Sequence, residues 1–460
     1  MNLVLFKKIL VKKFPFLEAF FSFIQKNFLS FILLAITIIF FLCYFESLRW
    51  PLPGPKATHG IAKGLSLILF IILIFDRKFK GYRTYGHYYM ALFFVSYVVS
   101  TGFSLDIDTS LLHLWYPFIA TVIFFLFSRV KINKKFIDIV IVLSMLLIFI
   151  TFIFSFFSIV FRYSVDNLYY FIFLDHRANY FLDEIRKYGK YASLGPYIML
   201  APLITSFFID RSGFRQKFLS FTIFLMATLT AVISNNRIDV LIFAIHFLVY
   251  LFIFSKKQIV SLVIPLIGIV SLGLFMTQLY FGFNLEQRIL RPAVERDQET
   301  VSMRYTYWDT AISNFRNFPL FGTGPNTYNV VSDFPLRRYY SRGASQYAVN
   351  PDEGIGIHNV FLERLSDTGI FGFLSFVLLL SYFSHQDFIL ILKLNKQNKI
   401  EGMKRYVLFS LSSWTWILYG ITDNGYGAQG FVTFFFLRGF LPHIFKLDYE
   451  EKPKKNSHRS

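Results

Sequence analysis

The chain contains one cysteine, Cys43, which excludes an intrachain disulfide framework and any metal site built on cysteine ligands. Charge is also scarce. Only 16% of the 460 residues are Asp, Glu, Lys or Arg, and acids are the rarer sign, 28 against 47 basic residues. Long polar stretches are nearly missing too, with the segment 282–356 as the one exception. Nucleic-acid binding needs a basic groove with interleaved aromatics in a water-exposed domain. Here the excess of +19 is scattered among short segments, so no nucleic-acid partner is expected.

Apolar residues fill the space that charge leaves. The chain is 55% hydrophobic and 20% aromatic, and apolar runs of membrane-spanning length recur along it. A bilayer core about 30 Å thick needs roughly 20 apolar helical residues, and at this hydrophobicity helices satisfy their own backbone in lipid. About twelve spans are predicted, near 28–46, 61–76, 86–101, 111–129, 136–161, 192–209, 217–233, 237–255, 258–281, 357–383, 405–421 and 428–446. The expected fold is all-α: one polytopic integral membrane domain over 1–460. A large outward loop, 282–356, separates spans nine and ten, and residues 447–460 form a basic tail. The first apolar run is long enough to span, so no cleavable signal peptide is expected.

Lysine and arginine mark every second loop: Arg77–Arg83, Arg129–Lys135, Arg211–Lys217, Lys256–Lys257 and Lys393–Arg405, together with Lys7–Lys26 and the tail. By the positive-inside rule both termini are expected in the cytoplasm, and the loops 162–191 and 282–356 are expected outside.

Inside the loop 282–356 stand eight arginines, eight acids and no lysine. Arginine's planar fork matches phosphate and carboxylate oxygens, while simple Arg–carboxylate pairing is the alternative use. Met303–Ala311 reads as a short helix with Arg304, Trp308 and Ala311 on one face. Pro319 ends it, and Gly322-Thr323-Gly324-Pro325-Asn326 makes a turn. That turn follows no strand and has no P-loop lysine, which makes it a poor phosphate loop by itself.

Two further places attract interest. Ser234-Asn235-Asn236-Arg237 is a tight outward hairpin of good capping types. The next span starts there with the positive end of its dipole facing out, so Arg237 would complete an anion site; the alternative is an interfacial arginine paired with Asp239. The second is His358-Asn359, nine residues, then Gly369-Ile370-Phe371-Gly372. Imidazole titrates near neutrality and suits a general base, though an interfacial capping histidine is the competing reading. If the helix starts at His358 and runs inward, its N-terminus faces out. Eleven helical residues turn about 1,100°, which would set His358 and Gly369 on one face, with Gly369 and Gly372 admitting a second helix. Glu363, Arg364 and Asp367 then imply that the first turns face protein and not lipid.

Together these residues resemble the O-antigen ligase and polymerase superfamily of bacterial membrane glycosyltransferases. The carriers are His358-Asn359 with Gly369-x-x-Gly372, Arg237 at the outer start of a span, and Arg304-x-x-x-Trp308-x-x-Ala311 followed by Phe318-Pro319-Leu320-Phe321-Gly322-Thr323-Gly324. Asn236 stands where the family often has serine. The resemblance implies a metal-independent, cofactor-free, inverting glycosyltransferase of the inner membrane with its site on the periplasmic face. It would move a glycan from undecaprenyl diphosphate to an acceptor hydroxyl. His358 would be the general base, Arg237 and Arg304 would hold the diphosphate, and Asn359, Trp308, Gly369 and Gly372 would support them. A ligase would use lipid A–core as acceptor, whereas a polymerase would use a second lipid-linked repeat.

Alternatives from other classes are a lipid-linked glycan flippase, since twelve spans also suit transporters, and a metal-dependent transferase using Asp106-Ile107-Asp108. Asp175-His176-Arg177 and Asp183-Glu184-Ile185-Arg186 are candidates for shaping the acceptor side.

Overall fold

The computed structural model describes residues 63–70, 85–129, 141–142, 145–146, 202–203, 205–206, 237–253, 294–327, 357–421 and 427–450. Every regular element among them is helical. Residues 63–70 are helical, and the longer helices in chain order are α1 (Tyr85–Gly102), α2 (Ile107–Arg129), α3 (Arg237–Ile253), α4 (Val294–Asn317), α5 (Val360–Lys396), α6 (Ile400–Gly420) and α7 (Gly427–Glu450). Among the described residues, Ile107–Ser128 and Val360–Lys396 are long and apolar enough to cross a membrane. The expected spans at 28–46, 136–161, 192–209, 217–233 and 258–281 lie wholly or mostly outside the described residues, as do both ends of the chain.

Five helices share one aromatic core. α1 packs on α5 and α2, while α7 packs on α2 and α6. Phe93 of α1 shows how the core is knit: its ring centroid lies 5.7 Å from Phe376 of α5 and 5.7 Å from Phe431 of α7. Lipid is as apolar as these side chains, so close packing and not hydrophobic transfer must hold such helices together; aromatic pairs supply about 0.5–1.5 kcal/mol each beyond their burial.

Two boundaries differ from expectation. α4 runs for 24 residues, not the short helix over Met303–Ala311, because no glycine or proline interrupts the chain between Pro292 and Pro319. α5 continues past residue 383 to Lys396. Polar Ser384-His385-Gln386-Asp387 look like the end of an apolar run, but Asp387 is buried and fully engaged. Its Oδ1 accepts from the Tyr406 hydroxyl at 2.8 Å; its Oδ2 accepts from Ser410 at 2.5 Å, the Trp414 indole at 2.8 Å and Arg438 Nη1 at 2.7 Å. The Arg438 guanidinium lies over Trp414, 4.4 Å from the ring centroid, and over Phe383 and Phe434. One carboxylate thereby ties α5, α6 and α7 together. α5 then closes with Asn398 in the left-handed region, with Lys399 N–H donating to Leu394 O and Asn398 N–H to Asn395 O, the Schellman pattern.

α5 is not one straight helix. Gly369 has φ 61 and ψ −164, a non-helical conformation inside the element. On a straight helix Phe361 and Phe376 would stand roughly 22 Å apart, yet their ring centroids are 5.9 Å apart. Residues 360–368 therefore fold back against the rest of α5, and Val360 joins the same core as Phe376 and Leu379.

The break exposes backbone groups, and the turn after α4 takes them up. Ile370 N–H donates to Pro319 O at 2.8 Å and Phe371 N–H to Leu320 O at 3.3 Å, while Thr323 N–H donates to Ser366 O and Gly324 N–H to Asp367 O, both at 3.0 Å. On its other side the turn meets the α1–α2 connection, where Leu105 N–H donates to Thr323 O at 2.9 Å.

Two outcomes are expected in detergent or nanodisc thermal unfolding. Gly369→Ala places a Cβ 2.5 Å from the Leu320 backbone at a φ/ψ that only glycine adopts readily, and should lose about 1–3 kcal/mol or more; an unchanged Tm would refute the break as built. Asp387→Ala strands the Arg438 charge and should cost about 3–5 kcal/mol, whereas Asp387→Leu with Arg438→Met should recover most of it.

Candidate functional site

His358 precedes α5 in the left-handed region, at φ 52, and is half-buried. This strained backbone is held from both sides. Before it, the Trp308 indole Nε1 of α4 donates to Ile357 O at 3.1 Å, and Ile357 is buried with Tyr307 and Ala311. After it, Asn359 caps the helix: its Oδ1 accepts from Phe361 and Leu362 N–H at 3.0 Å each. Its Nδ2 donates to Ile421 O, at the end of α6, at 3.0 Å. The imidazole lies nearly parallel to the Tyr307 ring, with centroids 6.1 Å apart and planes 24° apart.

Arg304 is half-buried on α4, one helical turn before Tyr307 and Trp308. Among the described residues no carboxylate pairs with it. The expected shared face of Arg304, Trp308 and Ala311 is thus the face that meets the His358 block. Tyr307, three positions after Arg304 on the same helix and beside Trp308, was not among the expected site residues.

Three expectations about the His358 block need correction. The helix after His358 does not run straight, because residues 360–368 fold back at Gly369. His358 and Gly369 do not lie on one helical face, since both adopt non-helical backbone. Nor do the glycines admit a second helix. The Leu320–Gly322 turn occupies the space at Gly369, and Gly372 makes room for Thr368 of its own chain.

The glycine turn has no free donors for a phosphate. Gly322 N–H donates to Phe318 O and Thr323 and Gly324 donate into α5, while Asn326 N–H donates to Asp367 Oδ2 at 3.0 Å. The neighbouring charges face protein, as expected. Asp367 is buried, and Arg364 pairs with Glu363 at 3.1 Å while its guanidinium lies over Tyr97 and Phe431.

Asp106 caps α2. Thr109 donates to it from its amide at 3.1 Å and its hydroxyl at 2.7 Å, and these bonds hold the carboxyl below the usual carboxylate range. Both oxygens of the Asp-x-Asp candidate's first acid are therefore engaged in capping. Among the described residues no cluster of three or more His, Cys, Asp or Glu is suited to a metal ion.

α3 begins at Arg237, the position expected for the start of a span; Ser234, Asn235 and Asn236 lie outside the described residues, as do the candidates at 175–177 and 183–186. α3 packs on α6, with His246 Nε2 2.8 Å from Thr415 Oγ1.

Residues 221–377 match the O-antigen ligase family model. That match, over about a third of the chain, supports the resemblance to the O-antigen ligase and polymerase superfamily. That segment contains α3, α4, the break in α5 and every proposed site residue from Arg237 to Gly372. An uncharacterized protein of Haemophilus influenzae is 23% identical over 186 residues, which is 39% of this chain and 45% of that protein. This chain thus spans about half the length of the curated relative it matches.

Asn359 offers a direct check on how His358 is mounted. Asn359→Ala should destabilise the protein by about 1 kcal/mol through loss of the cap. Asn359→Asp keeps the cap acceptor but removes the donor to Ile421 O, and should fall between the two in thermal unfolding. An alanine variant as stable as the parent would refute the cap.

Proposed function

We propose that this protein is an O-antigen ligase-like glycosyltransferase of the bacterial inner membrane. It takes a glycan from undecaprenyl diphosphate and passes it to an acceptor hydroxyl, lipid A–core in this reading, on the periplasmic face. The observation that carries the reading is the junction of the His358 block with the Arg304 face of α4, made by the Tyr307 stack and the Trp308–Ile357 hydrogen bond. The imidazole lies beside Tyr307, which follows Arg304 by one turn of α4, and no carboxylate among the described residues pairs with that arginine.

In this mechanism neutral His358 takes the proton of the acceptor hydroxyl. The acceptor oxygen bonds to the anomeric carbon as the bond from that carbon to the phosphate oxygen breaks. Attack from the side opposite the leaving group inverts the anomeric centre. The leaving undecaprenyl diphosphate gains negative charge, and Arg304 and Arg237 stabilise it. Helix geometry supports including Arg237. With α3 running inward and α6 outward, as the lysine pattern indicates, a rise of 1.5 Å per residue puts Arg237 about 13 Å and Ile421 about 9 Å from the level of the His246–Thr415 contact. Arg237 then stands near the level of Asn359. No metal enters this chemistry, since the arginines supply the positive charge that a cation would bring.

The test is transfer by purified protein with a defined lipid-linked oligosaccharide and lipid A–core. His358→Ala should lose roughly 10²–10⁴-fold in rate, and Arg304→Lys should fail to restore what Arg304→Ala removes, because lysine lacks the fork. EDTA should leave the rate unchanged. Full activity in His358→Ala would overturn the assignment, and a product formed only with a second lipid-linked repeat would make the enzyme a polymerase.

A further inference from the structure

We infer that Tyr307 is a positioning residue for His358, setting the imidazole in the one orientation from which it reaches the acceptor. The inference rests on the reading of His358 as the base. His358 sits outside the helix it precedes, at φ 52, so the turns of α5 do not themselves set its rotamer. Among its neighbours is Tyr307, whose ring lies nearly parallel to the imidazole at a 24° tilt. Tyr307 is itself fixed, being 7% exposed and packed with Ala311 and Ile357. The next residue, Trp308, holds the backbone just before the histidine through Ile357 O. Two consecutive residues of α4 therefore have separate roles, Trp308 placing the main chain and Tyr307 placing the ring.

The geometry makes a distinct demand. A general base must come within hydrogen-bond reach of the proton it takes, and a displacement of about 1 Å can cost on the order of 10²-fold in rate. The flat face of an aromatic ring restricts imidazole tilt, while a flexible aliphatic chain of similar bulk does not. The positioning is therefore assigned to the aromatic ring at 307.

The experiment compares Tyr307→Phe, Tyr307→Trp and Tyr307→Leu with the parent and with His358→Ala, measuring kcat, KM for the lipid-linked donor and Tm. Tyr307→Phe should stay within about threefold of the parent kcat, with Tyr307→Trp partly active. Tyr307→Leu should lose about 10–100-fold in kcat with KM unchanged and Tm close to that of Tyr307→Phe. A raised KM at unchanged kcat would make Tyr307 a substrate contact and overturn the inference. Equal losses in Phe and Leu variants that follow Tm would reduce it to core packing and overturn it likewise. Full activity of Tyr307→Leu alongside a dead His358→Ala would overturn this inference while leaving the base in place. An active His358→Ala would instead remove the functional reading beneath it.

Discussion

The structure depends on how the backbone is satisfied at Gly369. Within a bilayer or a packed bundle, an unpaired N–H or C=O costs several kcal/mol, so a span that breaks must find new partners at once. Here the partners come from a single turn. Pro319 and Leu320 supply carbonyls to Ile370 and Phe371, and Thr323 and Gly324 supply N–H groups to Ser366 and Asp367. The Ser100 hydroxyl of α1 adds a donor from another helix, to Asp367 O at 2.7 Å. Glycine occupies each tight point: Gly322 lies against the Asp367–Thr368 backbone and Gly369 against Leu320.

That arrangement decides where the candidate site lies. Because residues 360–368 fold back, the start of α5 is carried into the bundle and against the end of α6, where Asn359 meets Ile421. α4 is joined to the break through its own C-terminal turn, so its aromatic face arrives beside His358 as a consequence of the same hydrogen bonds. The Asn314 side chain reinforces the register, donating to Ser366 Oγ at 3.2 Å. Loosening the turn would therefore disturb Tyr307 and Trp308 as well as the backbone it directly holds.

A second polar device works at a distance from the first. Asp387 and Arg438 are the buried opposite charges of α5 and α7, and Tyr406, Ser410 and Trp414 of α6 complete the carboxylate's bonding. A buried ion pair contributes little net stability over a hydrophobic substitute but strongly disfavours any packing that separates its members. In a core made largely of phenylalanine, where many registers bury similar surface, such a pair selects one register. From residue order Asp387 reads as part of the polar end of an apolar run and Arg438 as an arginine inside another, and neither local pattern says that the two meet.

Much was legible in residue order alone. Scarce charge and recurring apolar runs indicated helices, and α1, α2, α3, α5, α6 and α7 each begin within a few residues of a predicted span. Residue order also singled out His358, Asn359, Arg304 and Trp308, because capping types, helical spacing and breakers act over a few positions and leave local marks. Only the tertiary structure decided that Gly369 breaks the helix instead of admitting a neighbour, that the glycine turn closes that break, and that Tyr307 lies on the imidazole. Those outcomes rest on pairings between segments some fifty residues apart. Local periodicity carries no information about them, since a glycine in an apolar run reads the same whether another helix or a turn comes to meet it.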